Sequence, residues 1–192
     1  MTDTPADGHA AAPAPPAEAA PVNARLDALA LDLERHAAAA GWDQPPHLFA
    51  LVETADLLRR EPQLAAQLGL GEGDPGDLTP VDQGDLPAHG GLDELLAGIA
   101  WPPEVLGAAV TVERLMVPPA VEKDMPQDEG EALRWLGEHP DRQEVRLVVA
   151  VLRDGSRSAA LRMRAHDDET SVLTGRDLVP GLADALADTL AD

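Results

Sequence analysis

EVRLVVAVLRDGSRSAALRMR, running from Glu144 to Arg164, is the stretch whose reading decides the fold. Two runs rich in Val, Leu and Ala flank Asp154-Gly155, a strong hairpin signal. Val145, Leu147, Val149 and Val151 alternate along the first run, and Ala159, Leu161 and Met163 along the second. Parity then selects the turn. A two-residue Asp154-Gly155 loop would set Leu147 opposite Arg162 and Val145 opposite Arg164, mixing apolar and charged side chains on one face. A three-residue loop, Arg153-Asp154-Gly155 with Gly155 left-handed, pairs Val149 with Ala159, Leu147 with Leu161 and Val145 with Met163. The odd loop is the expectation. Val148 and Ala150 make the first strand apolar on its second face too, as in a central strand or one covered by a helix or a second subunit.

Working outward, Asn23 reads as the N-cap of a helix to about Ala40, with Leu26, Leu29, Leu33 and Ala37 on one face and Gly41 as its stop. Residues 1–22 are Ala/Pro-rich without hydrophobic period and read as a disordered tail. Leu48–Val52 fits a helix by spacing, but the preceding Pro45-Pro46 and the short apolar run favour a strand. Thr54 would cap a helix broken at Pro62 and ended by Gly69. Residues 70–91, with Glu72, Asp74, Asp77, Asp82 and Asp85, read as one acidic loop. Then follow a helix over 92–100, a strand over 105–117, and a helix over about 128–137 that packs Ala132, Leu133, Trp135 and Leu136 inward. Beyond the hairpin, a helix over 178–190 has Leu182, Leu186 and Leu190 as its stripe. The order α-β-α-α-β-α-β-β-α predicts a single α+β domain over 23–192 with a largely antiparallel sheet.

At 192 residues, 44% hydrophobic, the chain can bury one sizeable core. One Phe, no Tyr and three Trp leave it without the aromatic platforms that stack bases or sugars. Absence of cysteine excludes disulfides, iron–sulfur clusters and thiol catalysis. The first residues have neither the basic start nor the apolar centre of a secretory signal, and no run approaches the ~20 apolar residues of a membrane span. A cytoplasmic protein is expected. A formal net charge of −21 disfavours nucleic acid and anionic membranes as partners.

The basic residues gather on the hairpin: Arg142, Arg146, Arg153, Arg157, Arg162 and Arg164. In the odd register Arg146 faces Arg162, and Glu144 faces Arg164, on the side away from the aliphatic stripe. Like charges opposite one another need something anionic over them. The protein's own acids can serve: Glu113, the 70–91 loop, or Asp184 and Asp188. So can an acidic partner segment or an anionic metabolite. His139, Asp141, His166 and Asp168 lie at one end of the hairpin and could hold a divalent metal or act as acid and base. The same residues serve equally as solvated turns and backbone caps. Trp42, Asp43 and Gln44 can line a small pocket, or the indole can be a core plug. No nucleophile elbow, zinc-protease helix, dinucleotide fingerprint or phosphate loop is present.

The segments GWDQPPHLFALV (41–52), LTPVDQGDLP (78–87), HPDRQEVRLVVAVLRDG (139–155) and RAHDDETSVLTGRDLVPGL (164–182) together resemble a family of small acidic actinobacterial proteins of unknown function. A lone lysine, Lys123, among many arginines suits a GC-rich genome. That resemblance implies no activity, ligand or site. Element order alone is similar to secretion-chaperone-like folds, which implies dimers that hold client segments.

These readings lead to a non-enzymatic interaction module, adaptor or chaperone-like, with a protein partner or a second copy of itself and no cofactor. Arg146, Arg162 and Arg164 with a small apolar patch at Val148, Ala150 and Ala160 would form its surface. The alternative is a metal-assisted hydrolase or small-anion-binding enzyme centred on His139, Asp141, His166 and Asp168.

Overall fold

The structure, a computed structural model, describes residues 22–71, 76–87 and 91–191; of the tail expected over 1–22 only Val22, the first residue of a helix, is among them, and Glu72 and Asp74 of the expected loop lie outside. The hairpin forms as its parity requires. Strands β4 (Gln143–Leu152) and β5 (Arg157–Met163) pair Val149 with Ala159, Leu147 with Leu161 and Val145 with Met163. Gly155 takes φ 84°, and its N–H donates to the Leu152 carbonyl.

Around it stand β1 (His47–Glu53), β2 (Leu78–Asp85), β3 (Gly107–Met116) and β6 (Leu173–Gly175). They form one antiparallel sheet in the order β2-β1-β3-β4-β5-β6, with β3 and β4 at its centre. One face carries α4 (Leu92–Ala97) and α7 (Pro180–Asp188), whose Leu92, Leu96, Leu182 and Leu186 bury the stripe of Val145, Leu147, Val149 and Leu161. The other lies under α1 (Val22–Ala40), whose Leu26, Leu29 and Leu33 cover Val148, Ala150 and Ala160. Both faces of β4 are therefore dry, as its two apolar sets require.

The rest of the chain is peripheral. Helices α2 (Thr54–Arg60) and α3 (Pro62–Gln67) break at Pro62 as expected, and α5 (Pro119–Glu122) and α6 (Glu129–Glu138) follow β3. The α+β antiparallel architecture stands, with departures in detail: α5 is a helix the expected order did not contain, and α4 ends at Ala97 rather than Ala100. The 70–91 stretch holds a strand: β2 tolerates Pro80 because it is an edge, and it absorbs Gln83 as a bulge beside Gly84 at φ 93°. A second strand, β6, adds three residues past β5. Thr54 caps nothing; its hydroxyl donates to the Asp77 carbonyl and meets Thr79 Oγ1 at 2.9 Å, tying the start of α2 to β2. Asn23 lies inside α1, where its side-chain oxygen accepts from Arg176. Leu133, expected to point inward, is 63% exposed, because α6 packs on the end of β3 with none of residues 130–138 buried.

Candidate functional site

Two arginines of the stripe, Arg146 and Arg162, are enclosed, and Arg164 stands exposed at its end. Gly41 ends α1 at φ 89°, and Asp43 follows at φ 67°, a left-handed conformation uncommon outside glycine. Asp43 is held there from both sides. Its N–H donates to Glu113 Oε2 (2.7 Å), and its carboxylate takes both Arg164 Nη atoms (2.9 and 3.0 Å). The Trp42 ring lies 4.3 Å from the Arg146 guanidinium, and its indole N–H donates to Asp167 (2.9 Å). Arg146 donates to Glu113 Oε1 (2.8 Å from Nη2) and to the Gly41 carbonyl. Arg162 forms a fork with Glu34 of α1, both contacts 2.6 Å, and reaches Asp167 at 3.4 Å.

Glu34, Arg146 and Arg162 are 0%, 1% and 3% exposed. Burial at that level demands pairing. The three arginines meet five carboxylates: Glu34, Asp43, Glu113, Glu144 and Asp167. Acids outnumber guanidiniums, so an anionic ligand would enter a field that is already negative. The Glu34 fork holds the Arg162 guanidinium above its ordinary pKa; Asp43 and then Glu144 do the same for Arg164. In return Arg164 holds the Asp43 carboxyl below its usual range.

Of the acids named from sequence, Glu113 does lie over Arg146. Asp184 pairs with Arg157 instead (2.9 Å), and Asp77 of the expected loop stands by Arg25 (3.9 Å). Glu34 was missed. Its signal was an acid one helical turn after Ala30, inside the stripe of α1 that faces the sheet.

The other expected sites fare differently. Val148, Ala150 and Ala160 are each 0% exposed beneath α1, so they offer no surface to a partner. Trp42 and Asp43 line a cavity of about 190 Å³ with Glu113, Leu115, Glu144 and Arg164. Gln44 turns out of it and donates to the Ala40 and Trp42 carbonyls. His139 accepts from the Asp141 N–H and its ring meets Trp135 at 4.6 Å. Asp168 caps its own turn, where the Thr170 and Ser171 hydroxyls hold its carboxyl below the usual range. His166 shares a separate cavity with Pro140 and Arg142, so the segments before β4 and after β5 do meet at one end of the hairpin, but without a converging ligand set. Among the described residues no group of three His, Cys, Asp or Glu is placed to hold a metal ion.

The open feature is backbone. Pairing of β1 with β3 stops at His47 and Thr111, whereas β3 runs on to Met116 against β4. Pro45 and Pro46 bring the chain to β1 without N–H donors, and residues 41–43 ride over the sheet face on Arg146 and Glu113. Among the described residues, Val112–Met116 thus has a strand partner on one side only. That edge opens on a trough of about 720 Å³ lined by Leu92, Asp93, Leu115, Leu133 and Leu136.

A family model described as PPA1309-like protein matches residues 26–191. The chain belongs to that family. The match begins at the first buried leucine of α1 and ends just past α7, so the PPA1309-like unit comprises the whole sheet and both helical covers. No curated protein and no solved structure matches the chain.

Proposed function

We propose that this PPA1309-like protein is a non-enzymatic interaction module that takes up an extended, basic segment of a partner protein by strand addition at the free edge of β3. One observation carries the reading: among the described residues, Val112–Met116 lacks a strand neighbour on the β1 side and faces a leucine-lined trough. Added strands gain affinity from main-chain hydrogen bonds and specificity from pockets for alternate side chains, and Leu115, Leu133 and Leu136 supply such a pocket. The outer edges are blunted, β2 by Pro80 and its bulge, β6 by a length of three residues. The β3 step has neither proline nor bulge.

Charge selects the occupant. A chain of formal net charge −21, with Asp93 and Glu94 opening α4 at the trough, steers Lys- and Arg-bearing segments. Arg114 is the cation of the lining and sets one position at which the segment carries an acid. A homodimer through this edge is disfavoured by like charge. An adaptor or chaperone-like role in an actinobacterial cytoplasm belongs to the same reading. It draws on the arginine-rich, lysine-poor composition, and among the described residues no helix is long and apolar enough to cross a membrane.

The test is selection of peptides from a random displayed library on the purified protein. Binders should alternate aliphatic and basic residues, protect the Val112–Met116 amides from hydrogen exchange, and lose affinity with Leu133→Asp but not with Leu173→Asp on β6. Failure to enrich any sequence, or binders indifferent to Leu133→Asp, would refute the reading.

A further inference from the structure

A second cavity, of about 210 Å³, lies where the end of α1 passes over the corner of β1 and β2. Its walls are Leu33 and Ala37 of α1 and Phe49 of β1, and its polar side is His36, Gln44 and His47 with Asp82 and Asp85 of β2, whose side chains stand at the mouth 68% and 62% exposed. His47 Nδ1 stands 2.7 Å from Asp85 Oδ1 and Nε2 stands 2.8 Å from Asp82 Oδ1. Two carboxylates against one imidazole leave at least one negative charge uncompensated, whichever protonation state the ring takes. Among the described residues no donor meets Oδ2 of either aspartate.

Thr111 lines the same cavity. Its residue is 7% exposed, and its Oγ1 is buried with no hydrogen-bond partner in the protein. A buried hydroxyl left unpaired is costly, and such groups are rare without a reason. The cavity therefore combines an apolar wall, residual negative charge at its mouth and an orphan hydroxyl. We infer that it binds a compact organic amine, its ammonium donating to Asp82 and Asp85, its apolar body against Leu33 and Phe49, and a polar atom at Thr111. An anion would meet both aspartates. A divalent metal would find no convergent set, because the two ring nitrogens point to different carboxylates. The volume is below that of drug-sized sites, roughly 300–1,000 Å³, so the ligand is small.

The probes are benzylamine and cyclohexylamine, each beside its alcohol and carboxylic-acid counterpart, titrated into the full chain and followed by ¹H–¹⁵N NMR. The amines should shift the His47, Asp82 and Thr111 amides saturably, with affinity several-fold above the alcohols, as pairing with two largely exposed carboxylates allows. Asp85→Asn should weaken the amines by a similar factor, and Glu122→Gln on α5 should not. Thr111→Val keeps the shape, so it should fold at least as well as the wild type and leave benzylamine and cyclohexylamine, which carry no second polar atom, bound as before. Equal shifts from amine, alcohol and acid, no saturable shift with either amine, or amine binding untouched by Asp85→Asn would each overturn the assignment. Because the site is separate from the β3 edge, its failure leaves the strand-addition reading standing, and the reverse holds as well.

Discussion

Glu34→Gln is the sharpest test of how the arginine stripe is held. The substitution keeps the side-chain shape but removes the charge that meets Arg162 at 2.6 Å through both Nε and Nη2 and lies 3.9 Å from Arg146 Nη1. Arg162 retains Asp167 at 3.4 Å on an exposed side, and Arg146 retains Glu113. One guanidinium is thus left nearly alone in a region 0–3% exposed. Removing one partner of a buried pair costs about 3–5 kcal/mol, mostly the desolvation of the survivor. With a urea m-value of about 2 kcal/mol/M for a domain of this size, the unfolding midpoint should fall by roughly 1.5–2.5 M. Replacing both partners, as Glu34→Leu with Arg162→Met, should recover most of that loss, because apolar replacement of a buried pair is often neutral or better. The exposed pair Arg60–Glu104, at 56% and 53%, is the control: Glu104→Gln should stay within about 0.5 kcal/mol. A Glu34→Gln loss under about 1 kcal/mol, or a double variant as weak as the single, would show that the fork does not organise the face.

Three further outcomes follow from the geometry. Gly155→Ala should cost about 1–2 kcal/mol through φ 84° alone, since an added Cβ meets nothing within 4 Å. Gly107→Ala, whose Cβ would collide with the Val151 carbonyl and the Leu152 side chain, should cost about 3 kcal/mol or more, and paired urea melts rank the two. Leu133→Asp should leave stability within about 0.5 kcal/mol, its residue being 63% exposed, while abolishing peptide capture. Asp43 and Asp168 have pKa values depressed on folding, by Arg164 and by the Thr170 and Ser171 hydroxyls respectively. Their contribution is complete above the unfolded carboxyl value of about 3.8 and is lost as pH falls through the lower folded values. Urea midpoints should therefore decline below about pH 4, and Asp43→Asn with Asp168→Asn should flatten that decline.

Sequence carried the centre of the molecule further than its margins, for physical reasons. The hairpin register followed from side-chain parity, because a one-residue slip would have put Arg162 opposite Leu147 in a buried layer. The strand at 47–53 and the helix break at Pro62 followed from what proline forbids. By contrast the sequence of β2 reads as loop, because Pro80, Gly84 and its aspartates are turn formers. Only its place at an edge, a tertiary fact, makes them acceptable in a strand. The site failed in a related way. Parity put Arg146 and Arg162 on one face with Val148 and Ala160, but one amphipathic helix could cover either face of β4, and α1 with its buried Glu34 covers this one. Leu133 shows the converse, since its helical spacing promised burial but α6 had no second layer to enter.

The covered arginines and the open strand edge are two sides of one arrangement. A chain leaving α1 at Ala40 and entering the sheet at His47 could run beside β3 and pair with Val112–Met116. It does not, because Trp42 stacks on Arg146, Asp43 locks onto Arg164 and Glu113, and two prolines deprive the approach of donors. The ion network thus lifts the connection off the plane of the sheet, and the step it leaves in β3 is where a foreign strand would fit. Asp43 at φ 67° is the strained point of that detour. Asp43→Gly removes the strain but also the carboxylate clamp on Arg164, so it should loosen residues 41–46. If the lifted connection is what keeps the edge open, this variant should show greater hydrogen-exchange protection at Val112–Met116 and weaker peptide capture, with β4–β5 pairing unchanged. Unaltered protection with unaltered capture would mean that the edge stays open without the network, and would sever the two.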